Sequence, residues 1–176
     1  MNPTKQLHEM GQQIWLDNIT RTILRNGTLA RYVSDFSVTG LTSNPSIFDE
    51  AIEKSDAYDD AIRAKARAGL SGEALFFELA LEDLTEAADL FRPAHDRSGG
   101  VLGWASLEVS PLLANDADGT VASATQLHAQ ADRPNLFIKI PGTRAGIAAI
   151  EQSILAGVPI NVTLLFSREQ YLAAAE

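Results

Sequence analysis

Five short apolar segments alternate with stretches of helical pattern along the 176 residues, and this alternation restricts the fold more than any other feature of the chain. The segments are Gln13–Asp17, Ser37–Thr42, Val101–Val109, Pro134–Thr143 and Pro159–Leu164. Helices are expected near residues 3–12, over 20–35 with an interruption at Asn26-Gly27, and over 55–68, 71–92, 120–132 and 144–156. Within 71–92, Phe76, Ala80, Leu84, Ala87 and Phe91 recur at three- and four-residue spacing, the stripe of a helix packed on one side. Ser43-Asn44-Pro45 has the form of a helix cap followed by proline, and Ser167-Arg168-Glu169-Gln170 that of a capping box opening a last helix. Strands joined through helices pair in parallel by right-handed crossovers, so the expected fold class is α/β.

Two α/β architectures satisfy the pattern, an open doubly wound sheet and a (β/α)8 TIM barrel. A dinucleotide-binding open sheet needs a G-x-G-x-x-G turn after its first strand, and the sequence has none there. Every strand instead carries a polar residue at or near its end: Asp17, Asn44, Glu108, Lys139, and the pair Asn161 and Thr163. Barrels place reactive groups at the C-terminal ends of different strands, which favours the barrel. A complete barrel has eight strands in about 250 residues. The expectation is one partial barrel domain over residues 1–176, truncated to about the first five strands, with the C-terminal strands absent.

Charge and residue usage bear on function by exclusion. A net charge of −9 argues against a nucleic-acid surface and against an anionic membrane as partner, yet leaves room for a phosphorylated substrate in one local basic pocket. The absence of cysteine suits a reducing compartment and rules out a thiolate metal site. The polar N-terminal segment and the lack of an apolar run of spanning length point to a cytoplasmic protein. His8, His95 and His128 lie far apart without ligand spacing and read as surface residues, and the acidic stretch Glu50 to Asp60 reads as a solvated helix face.

The segment Leu136-Phe137-Ile138-Lys139-Ile140 holds a lysine where a buried amine is costly. Period two puts Phe137 and Lys139 on one face and Leu136, Ile138 and Ile140 on the other. Partial desolvation favours a neutral amine, the form that attacks a carbonyl to make a Schiff base. Such chemistry needs a carboxylic acid to help expel water, and Glu108 stands one strand earlier on a face shared with Trp104 and Ser106. Asp17 is available as acid or base at a substrate hydroxyl, while Asn161 and Thr163 share a face and could hold hydroxyls and a water. Each residue also has a simpler reading. Lys139 could snorkel to water, Asp17 could cap the helix near Ile19, Asn44 could be a cap, Glu108 and Lys139 could form a structural ion pair, and Thr163 could fill a strand position.

Trp15-Leu16-Asp17-Asn18, Thr42-Ser43-Asn44-Pro45, Ser106-Leu107-Glu108-Val109, Phe137-Ile138-Lys139-Ile140-Pro141 and Asn161-Val162-Thr163-Leu164-Leu165-Phe166-Ser167 are five motifs that, in this order, resemble those of the transaldolase family. Gly40-Leu41-Thr42-Ser43-Asn44-Pro45-Ser46-Ile47-Phe48 is similar to its T-S-N-P signature, with Leu41 standing where a smaller or β-branched residue is usual. Phe137-Ile138-Lys139-Ile140-Pro141 is similar to its Schiff-base strand, and Asn161-Val162-Thr163-Leu164-Leu165-Phe166-Ser167 to its N-x-T-L-x-F-S segment. Trp15-Leu16-Asp17-Asn18 and Ser106-Leu107-Glu108-Val109 are similar to its first and third strands. The resemblance implies a TIM barrel that transfers a dihydroxyacetone unit from sedoheptulose 7-phosphate or fructose 6-phosphate to glyceraldehyde 3-phosphate or erythrose 4-phosphate, in the pentose phosphate pathway. It implies that Lys139 forms the Schiff base at the ketone, that Asp17 takes the C4 hydroxyl proton, and that Glu108 acts through a water positioned by Thr163. Asn44 and Asn161 would bind the dihydroxyacetone unit, and no metal or organic cofactor is required. The family's phosphate-binding arginines lie in the later part of its barrel, beyond the stretch matched by residues 1–176, and the resemblance does not carry that role over to Arg144 or Arg168. Two alternatives accompany this reading: an aldolase that releases free dihydroxyacetone, and a non-catalytic partial barrel that self-associates through exposed strand edges and apolar helix faces.

Overall fold

Alternation along the apolar segments is realised as a single parallel sheet with its helices on the outside. A computed structural model describes residues 2–176. The elements are α1 (Pro3–Glu9), β1 (Ile14–Asp17), α2 (Arg21–Arg25), α3 (Thr28–Phe36), β2 (Val38–Thr42), α4 (Pro45–Glu53), a 3-10 turn at Asp56–Tyr58, and α5 (Asp59–Arg67). They continue with α6 (Gly72–Arg97), β3 (Trp104–Glu108), a 3-10 turn at Pro111–Leu113, α7 (Ala117–Ala131), β4 (Leu136–Pro141), α8 (Arg144–Leu155), β5 (Ile160–Thr163) and α9 (Arg168–Ala175). The strands run parallel in sequence order and curl into a half-barrel, the truncated TIM barrel expected.

The outward face of the central strands is the core. Leu41, Ala105, Leu107, Leu136, Ile138 and Ile140 are buried against Leu84, Ala87, Ala88 and Phe91 of α6, Ala124, Leu127 and Ala131 of α7, and Ile150 of α8. Leu41, the residue that departs from the signature, is fully enclosed in this layer. The inward face carries the polar and aromatic residues. Trp15 lies over Gly40, where any side chain on Gly40 would strike the indole ring.

Local rules explain most boundaries and their departures. Asn44 caps α4, accepting from Ile47 N at 3.0 Å, with Pro45 in the first turn. The apolar stripe of α6 is buried as the spacing predicts, but the helix runs through Pro93 to Arg97 instead of ending near residue 92. Asp89 and Pro93 are both exposed, so water can solvate the carbonyl that the proline leaves unpaired. Strand β3 is shorter than Val101–Val109, because Gly103 takes φ +81 and Val101 is 74% exposed. The helix expected near 3–12 ends at Glu9, before Gly11 at φ +90. At α9, Ser167 caps Gln170 N as a capping box should, but the Gln170 carboxamide accepts from Phe166 N rather than from Ser167 N.

Candidate functional site

Parallel register gathers the inward residues. Glu108 of β3 pairs with Lys139 of β4, which pairs with Asn161 of β5; Thr42 of β2 lies between Asp17 of β1 and Ser106 of β3. The Lys139 ammonium sits 3.5 Å from Glu108 Oε2, with the two side chains 12% and 14% exposed. Nζ also donates to the Ser43 carbonyl at 3.3 Å. The lysine therefore does not snorkel to water, and the ion pair of the simpler reading is present. It is the same pair that Schiff-base chemistry needs. Burial pushes the Glu108 carboxyl up from its ordinary value, and the charge of Lys139 offsets this only in part.

Beneath the pair lies an aromatic floor. Phe137 stacks on Trp104 with ring centroids 3.9 Å apart and on Trp15 at 6.3 Å. His95 closes the far side, edge-on to Trp104 at 5.0 Å. This histidine is not the surface residue expected: its side chain is 14% exposed, and its buried Nδ1 lies 3.6 Å from Asp96 Oδ1 with no hydrogen-bond partner among the described residues. His8 and His128 are partly buried. The acidic residues from Glu50 to Asp60 are exposed as expected, around a buried Tyr58.

The remaining candidates divide by position. Asn161 stands beside Lys139, and its Nδ2 donates to Ser106 Oγ at 3.0 Å. Asn44 follows directly on Ser43; its carboxamide oxygen is engaged in the cap of α4, so the simpler reading of that residue holds for the oxygen. Asp17 ends the edge strand β1, exposed and without a side-chain partner among the described residues. It is not a helix cap, since Thr20 caps α2 by accepting from Ile23 N at 3.2 Å. Thr163 ends the opposite edge strand beside Pro141, and its side chain makes no hydrogen bond among the described residues. The structure thus brings Lys139, Glu108 and Asn161 together and leaves Asp17 and Thr163 on the two outer strands, without a polar contact to the lysine.

Sequence reasoning missed the Ser43 carbonyl, which no side-chain pattern can reveal, and the hydrogen-bonding role of Ser106. For Ser106 a signal existed, its place two residues before Glu108 on one face. Among the described residues no group of three or more His, Asp or Glu side chains could hold a metal ion, and no helix is long and apolar enough to cross a membrane.

A partly buried amine, a carboxyl with a raised proton affinity and a fixed amide form a site suited to carbonyl chemistry. Comparison with known proteins agrees. The profile of the family described as transaldolase/fructose-6-phosphate aldolase matches residues 14–176. A transaldolase of Frankia alni is 46% identical over 176 residues, covering 99% of this chain and 47% of the relative. Transaldolases of Thiobacillus denitrificans and Thermobifida fusca are each 44% identical, over 97% and 99% of this chain and 47% and 48% of their own lengths. The chain spans about half the length of the curated relatives it matches. The five ordered motifs, the parallel half-barrel and these matches place the chain in the transaldolase/fructose-6-phosphate aldolase family.

Proposed function

We propose that this protein carries the Schiff-base half of a transaldolase site and serves transfer of a dihydroxyacetone unit between sugar phosphates in the pentose phosphate pathway. The observation that carries the reading is the Lys139 amine, enclosed on the inward face between Glu108 and the Ser43 carbonyl. Its neutral form attacks the C2 ketone of a ketose phosphate, sedoheptulose 7-phosphate or fructose 6-phosphate, and Glu108 supplies a proton as water leaves the carbinolamine. A water held by Thr163 serves as the relay. Asp17 takes the C4 hydroxyl proton, the C3–C4 bond breaks, and its electrons pass to the iminium nitrogen. The enamine, held by Asn44 and Asn161, then adds to glyceraldehyde 3-phosphate or erythrose 4-phosphate, and Asp17 returns the proton. An acidic chain without cysteine fits a cytoplasmic setting for such an enzyme.

Borohydride trapping with fructose 6-phosphate, read by intact mass and peptide mapping, tests the assignment. The expected result is a dihydroxyacetone adduct on Lys139 that is lost in Lys139→Ala. Retained trapping in that variant overturns it. Dependence of turnover on an added aldose phosphate separates transfer from aldol cleavage that releases free dihydroxyacetone.

A second reading rests on the sheet edge at β5, where Leu155, Phe166 and Tyr171 are 81%, 84% and 61% exposed. Exposed apolar groups beside an open strand edge favour self-association of a non-catalytic half-barrel. A concentration-dependent oligomer in sedimentation, together with no adduct on Lys139, would favour that alternative.

A further inference from the structure

We propose that Ser106 is a positioning residue, which aims the Asn161 amide at the ligand of Lys139 and so sets a preference for ketones bearing a neighbouring hydroxyl; this rests on the Schiff-base reading above. Ser106 is fully buried in β3 and is tied in two directions. Its Oγ accepts from Asn161 Nδ2 at 3.0 Å, reaching past β4 to β5. Its carbonyl accepts the Ser43 hydroxyl at 2.8 Å and the Ser43 N–H at 3.3 Å. The Ser43 carbonyl in turn accepts from Lys139 Nζ at 3.3 Å. One serine therefore links the backbone that anchors the amine to the side chain that stands beside it.

A carboxamide offers two N–H donors and one oxygen. Spending one N–H on Ser106 holds the plane of the Asn161 amide. The other N–H and the oxygen have no side-chain partner among the described residues, next to Lys139 in the register. A fixed, partly buried donor and acceptor favour a ligand hydroxyl and disfavour a ligand that lacks one, because the latter leaves them unpaired. Without Ser106 the amide can rotate, and that discrimination goes.

The test is borohydride trapping of the 176-residue chain with dihydroxyacetone and with acetone, in wild type, Ser106→Ala, Asn161→Ala and the double variant. Ser106→Ala is expected to raise the half-saturating dihydroxyacetone concentration about tenfold, the increment of one oriented hydrogen bond, and to leave acetone trapping unchanged. In the Asn161→Ala background the same substitution is expected to have no further effect. Ser106→Cys, which keeps a weaker acceptor, should fall between wild type and Ser106→Ala. Equal losses for both ketones, or additive effects in the double variant, overturn the proposal. The Asn161 side-chain amide resonances of the 15N-labelled chain read the same bond without any chemistry. If wild type traps neither ketone, the Schiff-base reading fails for this chain and the ketone preference falls with it, while a shift of the Asn161 pair in Ser106→Ala upholds the bond by which Ser106 orients that amide. An unmoved Asn161 pair overturns it in either case.

Discussion

Removing Asp83 should destabilise this protein far more than removing any of its surface carboxylates. Asp83 is fully buried in α6, and Arg21, at the start of α2, is 2% exposed; Arg21 Nε meets Asp83 Oδ1 at 2.8 Å. The second carboxylate oxygen accepts from the Tyr58 hydroxyl at 2.7 Å, and that hydroxyl accepts from Arg21 N at 3.0 Å. The guanidinium also lies over the Tyr58 ring at 4.5 Å. Asp83→Ala leaves a buried guanidinium with Glu82 alone and a buried phenol without an acceptor. Losing one partner of a buried, hydrogen-bonded charge pair costs about 3–5 kcal/mol. By contrast, Asp89→Ala removes the partly exposed pair with Arg133, for which about 0–1 kcal/mol is expected. Urea unfolding followed by circular dichroism measures both, with unchanged m-values as the condition for comparing midpoints. If Asp83→Ala costs less than about 1 kcal/mol at constant m, the network is not the clamp its geometry indicates.

Further outcomes follow from the site and its caps. Glu108 has a folded pKa raised by burial, so its contribution to stability is fully present below its ordinary value of 4.5 and is lost as pH rises through the folded value. The urea midpoint of wild type should therefore fall relative to Glu108→Gln as pH rises above the ordinary value of 4.5, and a constant difference would contradict the burial effect. Thr20→Ala should cost about 1 kcal/mol through loss of the α2 cap, whereas Asp17→Ala should leave the midpoint in place and, if the proposed function holds, abolish fructose 6-phosphate cleavage. A stability loss in Asp17→Ala as large as that in Thr20→Ala would restore the capping reading of Asp17.

Sequence periodicity was informative where side-chain direction follows from backbone geometry alone. Alternation in β4 puts Leu136, Ile138 and Ile140 in the core and Phe137 and Lys139 on the inward face, as the burial pattern of the strand shows. Asn44 before Pro45 marks the start of α4, and the α6 stripe marks its buried side. The Glu108–Lys139 pair was legible as well, because it needs only two inward residues at the ends of neighbouring strands. His95 was misjudged, because nothing around it in the chain shows that Trp104 and the loop at Gly100 and Gly103 will close over it.

By itself, the sequence determined the succession of strands and helices, their caps, the inward set of polar residues and the family motifs. All of these depend on neighbours a few positions apart. Only the tertiary structure decided the Arg21–Tyr58–Asp83 clamp, whose members lie 37 and 62 residues from Arg21, and the grip of the Ser43 carbonyl on Lys139 across 96 residues. Such contacts form when the curl of the sheet and the packing of helices bring distant segments together. A backbone carbonyl is offered by every residue alike, so its choice as a partner is made by the fold.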